Sequence, residues 1–117
     1  MARILIVDDE PQFRRVLRIA LGTRGHDVRE AASGRDALEL LHDDPAQLVL
    51  VDWQMPGLDG LQTCRAIRGW LDVPIIMVTS RDQKGRDLAL AAGAIDYVTK
   101  PFDLDYLVSR VESALAR

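Results

Sequence analysis

Short apolar runs alternate with stretches of helical periodicity along this chain, and that alternation restricts the fold more than any other feature of the sequence. The runs at residues 4–7, 48–51 and 75–78 are apolar at every position, as expected of strands covered on both faces of a sheet. A repeated strand–helix order favours a parallel sheet over a sandwich or a helical bundle. The sequence therefore predicts an α/β domain.

Five strand–helix units can be counted along the chain. The predicted strands are residues 4–7, 28–31, 48–51, 75–78 and 95–98. Pro11 suits the first turn of a helix, and Ser33 and Asp103 suit helix N-caps, so three of the five helices have recognisable starts. The fourth helix, over about residues 83–92, is short and polar. We expect a doubly wound, flavodoxin-like sheet with strand order 2-1-3-4-5 and five helices.

Size, charge and cysteine content narrow the class of protein. At 117 residues the chain suits one domain, which is expected to span residues 1–117. The net charge is −3 with no basic run, so direct binding of nucleic acid by this domain is not expected. Cys64 is the one cysteine, which rules out an internal disulfide and a thiolate zinc cage and favours a reducing, cytoplasmic location.

The remaining metal-binding side chains and the start of the sequence add little to this picture. Cys64 lies on the inward face of its predicted helix and is expected in the core, whereas His26 and His42 flank turns and are expected at the surface. The apolar segment after Arg3 is too short for a signal-peptide core or a membrane span, so no membrane association is expected.

Polar side chains follow four of the five predicted strands, at the point where each strand ends. They are Asp8 and Asp9 after the first strand, Asp52 after the third, Thr79 after the fourth and Lys100 after the fifth. In an open parallel sheet the loops at the carboxyl ends of the strands converge, and ligands bind there. The sequence therefore predicts one site that contains three carboxylates, a hydroxyl and an ammonium.

This combination of groups predicts a chemistry. Three neighbouring carboxylates repel one another and one lysine offsets a single charge, so a divalent cation is the natural counterion. Oxygen ligands without cysteine or histidine favour Mg²⁺, and a metal, a lysine and a hydroxyl together can stabilise a transferring phosphoryl group. Taken singly, each residue could be a helix cap or a solvated loop residue, but their joint placement favours a site for phosphoryl transfer.

The segments that carry these residues resemble the CheY-like receiver domains of two-component response regulators. They are residues 4–10, 51–60, 78–80 and 93–102, in the family's order and spacing. The resemblance implies that Asp52 accepts a phosphoryl group from a sensor histidine kinase, or from a small donor such as acetyl phosphate, in a Mg²⁺-dependent reaction. It implies a signalling switch that catalyses only its own phosphorylation and dephosphorylation.

The resemblance also implies a ligand set for the metal. Mg²⁺ would be held directly by Asp9, Asp52 and the backbone carbonyl of Gln54, with Asp8 acting through water. No further cofactor is implied.

The family's switch carries over to three other positions. Lys100 would contact the phosphoryl oxygens, Thr79 would move to hydrogen-bond the new phosphate, and Tyr97 would change rotamer to fill the space that Thr79 leaves. The bond from Lys100 to Pro101 would be cis.

The sequence indicates less about what the switch controls than about how it is phosphorylated. The family usually reads it out on the face formed by the fourth helix, the fifth strand and the fifth helix, and receivers of OmpR-like transcription factors form homodimers there through charge pairs. Residues that match those charges are Arg86, Asp96, Arg110 and Arg117, whereas Ile95 and Tyr106 replace usual acids. The segment at residues 52–57 also resembles receivers joined to diguanylate cyclase domains. An output domain after Arg117 and a separate effector protein stay open as alternatives.

Three competing hypotheses fit the sequence less well. A haloacid-dehalogenase-like phosphatase has a second aspartate two positions after its nucleophile, but Glu10 and Pro11 stand at that spacing here. A flavodoxin-like carrier of FMN needs backbone N–H groups in a loop rich in Ser, Thr or Gly, and the acidic residues 8–10 would repel the cofactor's phosphate. A degenerate receiver used only for docking would lack some of the functional residues that are present here.

Overall fold

The structure is a computed structural model that describes residues 2–116. Five parallel strands in these residues form one sheet. The strands are β1 (Arg3–Val7), β2 (Asp27–Ala31), β3 (Leu48–Val51), β4 (Ile75–Thr79) and β5 (Asp96–Thr99). The helices are α1 (Pro11–Gly22), α2 (Gly34–Asp43), α3 (Gly60–Arg68), α4 (Arg86–Ala91) and α5 (Leu104–Leu115). The strand order is β2-β1-β3-β4-β5, so the predicted doubly wound, flavodoxin-like topology is confirmed.

The continuously apolar strands are buried on both faces, which explains why they lack polar alternation. Alternate residues of a strand point to opposite faces, so Leu5 and Val7 pack in one cluster and Ile4 and Ile6 in the other. Buried residues of α2, α3 and α4 complete the first cluster, and those of α1 and α5 complete the second. Cys64 is buried in the first cluster, as predicted.

The predicted helix starts are present and orient the loops that follow the strands. Ser33 accepts a hydrogen bond from the Asp36 backbone N–H, and the Asp103 side chain caps α5 in the same way. In addition, a capping box starts α3, in which Asp59 and Gln62 each accept from the other's backbone N–H.

The start of the fourth helix differs from its prediction. Residues Gln83–Gly85 form a single 3₁₀ turn, and the α-helix begins only at Arg86. Gly85 lies against the Tyr97 hydroxyl and the Trp53 ring, and a Cβ at this position would lie 2.6 Å and 2.7 Å from them. The close approach requires glycine, a weak helix former, so the regular helix starts after it.

Two further predictions were wrong in detail. The side chain of His26 is only 6% exposed instead of lying at the surface. Its Nδ1 accepts from the Ala2 backbone N–H, and its Nε2 lies 3.0 Å from the Glu112 carboxylate on α5. The fifth strand begins at Asp96 rather than at Ile95.

Within residues 2–116, no helix has the length and apolar composition that a membrane crossing requires.

Candidate functional site

The carboxyl edge of the sheet brings together the polar residues that follow its strands. Asp8 and Asp9 follow β1, and Asp52 follows the neighbouring β3. One carboxylate oxygen from each of these three residues lies within 4.8 Å of the others. The sheet order alone explains the grouping, because β1 and β3 are adjacent although about forty residues separate them along the chain.

Lys100 directly follows β5, and its side chain lies beside this group of carboxylates. Its Nζ lies 3.0 Å from Asp8 Oδ2 and 3.7 Å from Asp52 Oδ2. Its backbone N–H donates to the Thr79 carbonyl at 2.7 Å, which ties the turn after β5 to the end of β4. The bond from Lys100 to Pro101 is cis, as predicted.

Asp52 has a pKa above its usual value. The largest cause is burial, since the residue is 8% exposed, and the neighbouring charge of Asp8 adds to it. Three interactions have the opposite effect and lower the pKa of Asp52. They are the charge of Lys100 and hydrogen bonds from the Gln54 backbone N–H and the Thr79 hydroxyl. Burial and the charge of Asp8 therefore outweigh the three interactions that favour the ionised carboxylate.

The two adjacent aspartates after β1 have different environments. Asp8 is buried, and its oxygens accept from the Glu10 backbone N–H at 2.9 Å and from Lys100. Arg14 also donates to the Asp8 backbone carbonyl at 2.6 Å, which fixes the loop. Asp9 is exposed. Asp9 is thus the more accessible of the two carboxylates to a ligand from solvent.

The donor set fits Mg²⁺ by charge and by ligand type. Three carboxylates and one ammonium leave two negative charges, which a divalent cation would balance. All the candidate ligands are oxygens, as Mg²⁺ prefers. Gln54, the fourth predicted ligand, lies two positions after Asp52 in the same loop, and its carbonyl would add a fourth oxygen donor.

The two predicted switch residues, Thr79 and Tyr97, are both buried. The Thr79 hydroxyl accepts from the Arg81 backbone N–H at 3.3 Å. The Tyr97 hydroxyl donates to the Asp82 carbonyl at 2.9 Å, and its ring packs edge-on against Trp53. Tyr97 thus holds the loop after β4 from inside the molecule, and a change of rotamer would have to break these contacts.

Two ring–cation contacts at this edge were missed by the sequence reasoning. The Arg81 guanidinium lies 4.1 Å from the centroid of the Trp53 ring, and Lys100 Nζ lies 3.8 Å from that of Phe13. Phe13 is partly buried and also packs against the second core cluster. Neither contact has a signal in the sequence, because each joins segments that meet only in the folded sheet.

On the face formed by α4, β5 and α5, three of the charged residues that match the family's dimer pairs interact with one another within this chain. Asp96 is buried and pairs with Arg110, and Arg86 lies 3.8 Å from its other oxygen. Arg117, the fourth matching charge, lies outside the described residues. Exposed apolar side chains on this face include Leu88 and Tyr106.

Comparisons with known proteins agree on one family. The family model described as "Response regulator receiver domain" matches residues 4–112. The transcriptional regulatory protein KdpE of Mycobacterium tuberculosis (strain CDC 1551 / Oshkosh) is 41% identical over 118 residues, which cover 100% of this chain and 52% of KdpE. The chain therefore spans about half the length of the curated relatives it matches.

Solved structures show the same likeness in three dimensions. The BeF3-activated N-terminal receiver domain of Klebsiella pneumoniae RstA is 33% identical with a TM-score of 0.93, covering 98% of this chain and 99% of that one. The response regulator TrrA of Thermotoga maritima, in complex with Mg²⁺-BeF, is 36% identical with a TM-score of 0.89, covering 97% and 99%.

Proposed function

Because this chain belongs to the response regulator receiver domain family, the phospho-accepting switches of two-component systems, we propose that it accepts a phosphoryl group on Asp52. The observation that carries the proposal is the geometry around that carboxylate. The oxygens of Asp8, Asp9 and Asp52 lie within 4.8 Å of one another, and the Lys100 ammonium approaches both Asp8 and Asp52.

The reaction needs little covalent chemistry from the protein. An ionised oxygen of Asp52 attacks the phosphorus, and the bond from phosphorus to the kinase's histidine nitrogen, or to the acetate oxygen of acetyl phosphate, breaks. Lys100, whose Nζ lies 3.7 Å from Asp52 Oδ2, and Thr79, whose hydroxyl donates to Asp52, would stabilise charge on the phosphoryl oxygens. The opposing effect of Lys100 on the raised pKa of Asp52 favours the ionised nucleophile.

The acidic residues of the site have a second role in this proposal. Asp9, Asp52 and the Gln54 carbonyl would hold Mg²⁺, and Asp8 would hold it through water. When bound, the ion supplies positive charge to the phosphoryl oxygens. Two relatives support this part, since TrrA is described with Mg²⁺-BeF and RstA as BeF3-activated, and beryllofluoride mimics a phosphoryl group.

The direct test is chemical phosphorylation of the isolated chain. Incubation with acetyl phosphate and Mg²⁺ should add the mass of one phosphoryl group, measured by intact mass spectrometry. The same incubation with EDTA should add none. The phosphorylated chain should also lose the group by hydrolysis without a phosphatase, which is the autodephosphorylation expected of a switch. Equal modification with and without the metal would contradict the Mg²⁺ dependence.

The partners and the location follow from the same proposal. A sensor histidine kinase is the proposed donor, in the cytoplasm, and the output is a domain after Arg117 or a separate effector. A homodimer through the face of α4, β5 and α5 would have to divide Asp96 between its present partners, Arg86 and Arg110, and those of a second copy.

The switch makes a separate prediction for Thr79→Ala. This variant should still accept phosphate on Asp52, but its response on the face of α4, β5 and α5 should be partial. A charge-assisted hydrogen bond from Thr79 to the phosphate is worth roughly 1.5–3 kcal/mol, or about ten- to a hundredfold in the ratio of active to inactive conformations. NMR shifts of that face, with Tyr97 as marker, measure the response at matched phosphorylation.

The control for this experiment is Thr79→Ser, which keeps the hydroxyl and should restore the wild-type response. A full response in Thr79→Ala would show that the hydroxyl does not couple the site to the face. Lys100 or the loop at residues 80–81 would then carry the signal.

A further inference from the structure

The ammonium of Lys100 has an aromatic neighbour in addition to its carboxylate partners. Its Nζ lies 3.8 Å from the centroid of the Phe13 ring, on the first turns of α1. The Lys100 side chain is only 20% exposed, so much of its environment is supplied by the protein rather than by water. A cation this close to the face of a ring is attracted by the ring's quadrupole, and more strongly where water is excluded.

We propose that Phe13 is a positioning residue for phosphoryl transfer, holding the Lys100 ammonium beside Asp52 through the face of its ring. The inference rests on the role proposed above for Lys100. A lysine side chain is long and flexible, so fixing its charged end costs conformational entropy unless neighbours restrict it.

The ring restricts the ammonium and leaves it a free donor. A lysine ammonium has three N–H groups, so one directed at the ring face and one at Asp8 leave a third for another oxygen acceptor. Asp8 Oδ2 already accepts at 3.0 Å, whereas Asp52 Oδ2, at 3.7 Å, lies beyond hydrogen-bond distance. The ammonium therefore keeps donor capacity toward Asp52, where the transferred group would arrive.

The fold holds the Phe13 ring from a second side. Phe102 follows the Lys100–Pro101 peptide, and its ring packs against Phe13 at a centroid distance of 5.8 Å with an interplanar angle of 81°. This edge-to-face arrangement is a favourable one for two aromatic rings. Phe13 is thereby fixed by the segment that also carries Lys100, so the ring and the ammonium are positioned together.

The aromatic pair provides a matched control for the test. Phe13→Leu and Phe102→Leu both remove the ring–ring contact, but only Phe13→Leu removes the contact with the ammonium. The initial rate of phosphorylation by acetyl phosphate at fixed Mg²⁺ should fall about three- to tenfold in Phe13→Leu. It should fall less in Phe102→Leu, and Phe13→Tyr, which keeps a ring face, should restore most of the rate.

Fluorination of the Phe13 ring separates charge attraction from packing. Mono-, di- and trifluorophenylalanine at this position keep the ring's shape while they weaken the negative charge of its face. The logarithm of the phosphorylation rate should fall steadily along the series in the wild-type background and stay constant in Lys100→Gln. In the metal-free protein, the Lys100 ε-methylene protons should show an upfield ring-current shift that Phe13→Leu removes.

The outcomes distinguish this inference from the function on which it rests. If Lys100→Gln is phosphorylated as fast as the wild type, Lys100 has no role in the reaction, and the inference fails with that role. If Lys100→Gln is slow but the fluorinated proteins react at the wild-type rate, Phe13 only packs and the inference alone is overturned. An equal slowing by Phe13→Leu and Phe102→Leu would overturn it in the same way.

Discussion

Asp52→Asn is expected to abolish phosphorylation by acetyl phosphate while the domain stays folded. An amide of the same shape lacks the ionised oxygen that attacks phosphorus, so the intact mass should show no added phosphoryl group where the wild type shows one. The loss should be complete rather than partial, because the proposal assigns the nucleophile to Asp52 alone. Phosphorylation of Asp52→Asn at the wild-type level would contradict the assignment of the acceptor.

The same variant should be more stable than the wild type in the absence of metal at neutral pH. Burial and the charge of Asp8 raise the pKa of Asp52, so the ionised side chain costs folding free energy. That cost is present when the pH is above the raised pKa, and it disappears as the pH falls and the carboxyl group takes up its proton. Urea denaturation at neutral and acidic pH measures the difference, which should shrink on acidification.

Asp72→Asn is the matched control for both measurements. Asp72 precedes β4, so it lies at the opposite edge of the sheet, and its side chain is fully exposed. This variant should be phosphorylated at the wild-type rate, and it should not gain stability from the loss of a buried charge.

The second large effect is expected from Asp9→Ala, which removes the exposed carboxylate of the proposed metal site. At fixed Mg²⁺ the phosphorylation rate should fall by about a hundredfold or more, because the ion loses a direct ligand. Trp53 follows Asp52 in the chain, and its fluorescence should change with saturation as Mg²⁺ is added. Asp9→Ala should abolish this response.

The fluorescence titration needs two controls. Trp70 is 46% exposed and is a second emitter, so the measurement belongs in a Trp70→Phe background. Glu10→Gln changes the adjacent exposed acid and should leave the titration close to that of the parent. An unchanged titration in Asp9→Ala would show that the metal binds elsewhere.

The fold could be predicted closely because the sheet is covered on both faces. Strands buried in this way need apolar residues at every position, so residues 48–51 stand out in the sequence and coincide with β3. The convergence of the polar residues follows from topology, since residues at the carboxyl ends of adjacent parallel strands share one edge. Helix starts were predictable where a side chain caps the helix, as at Ser33.

Features that depend on contacts between distant segments could not be predicted. The 3₁₀ turn before α4 follows from the contact of Gly85 with Tyr97, and the inward position of Tyr97 depends on a hydrogen bond to Asp82. The side chain of His26 is buried because it packs against the last turns of α5, where it meets Glu112. The contact between Phe13 and Lys100 joins the first helix to the turn after the last strand, which are far apart in the sequence.

The position of the modified residue tests the central claim most directly. Borohydride reduces an aspartyl phosphate to homoserine, which survives proteolysis and can be located by peptide sequencing in a mass spectrometer. After phosphorylation of the wild-type chain with acetyl phosphate and Mg²⁺, the proposed acceptor predicts homoserine at position 52 and unmodified aspartate at positions 8 and 9. Homoserine at position 8 or 9 with intact Asp52 would contradict it.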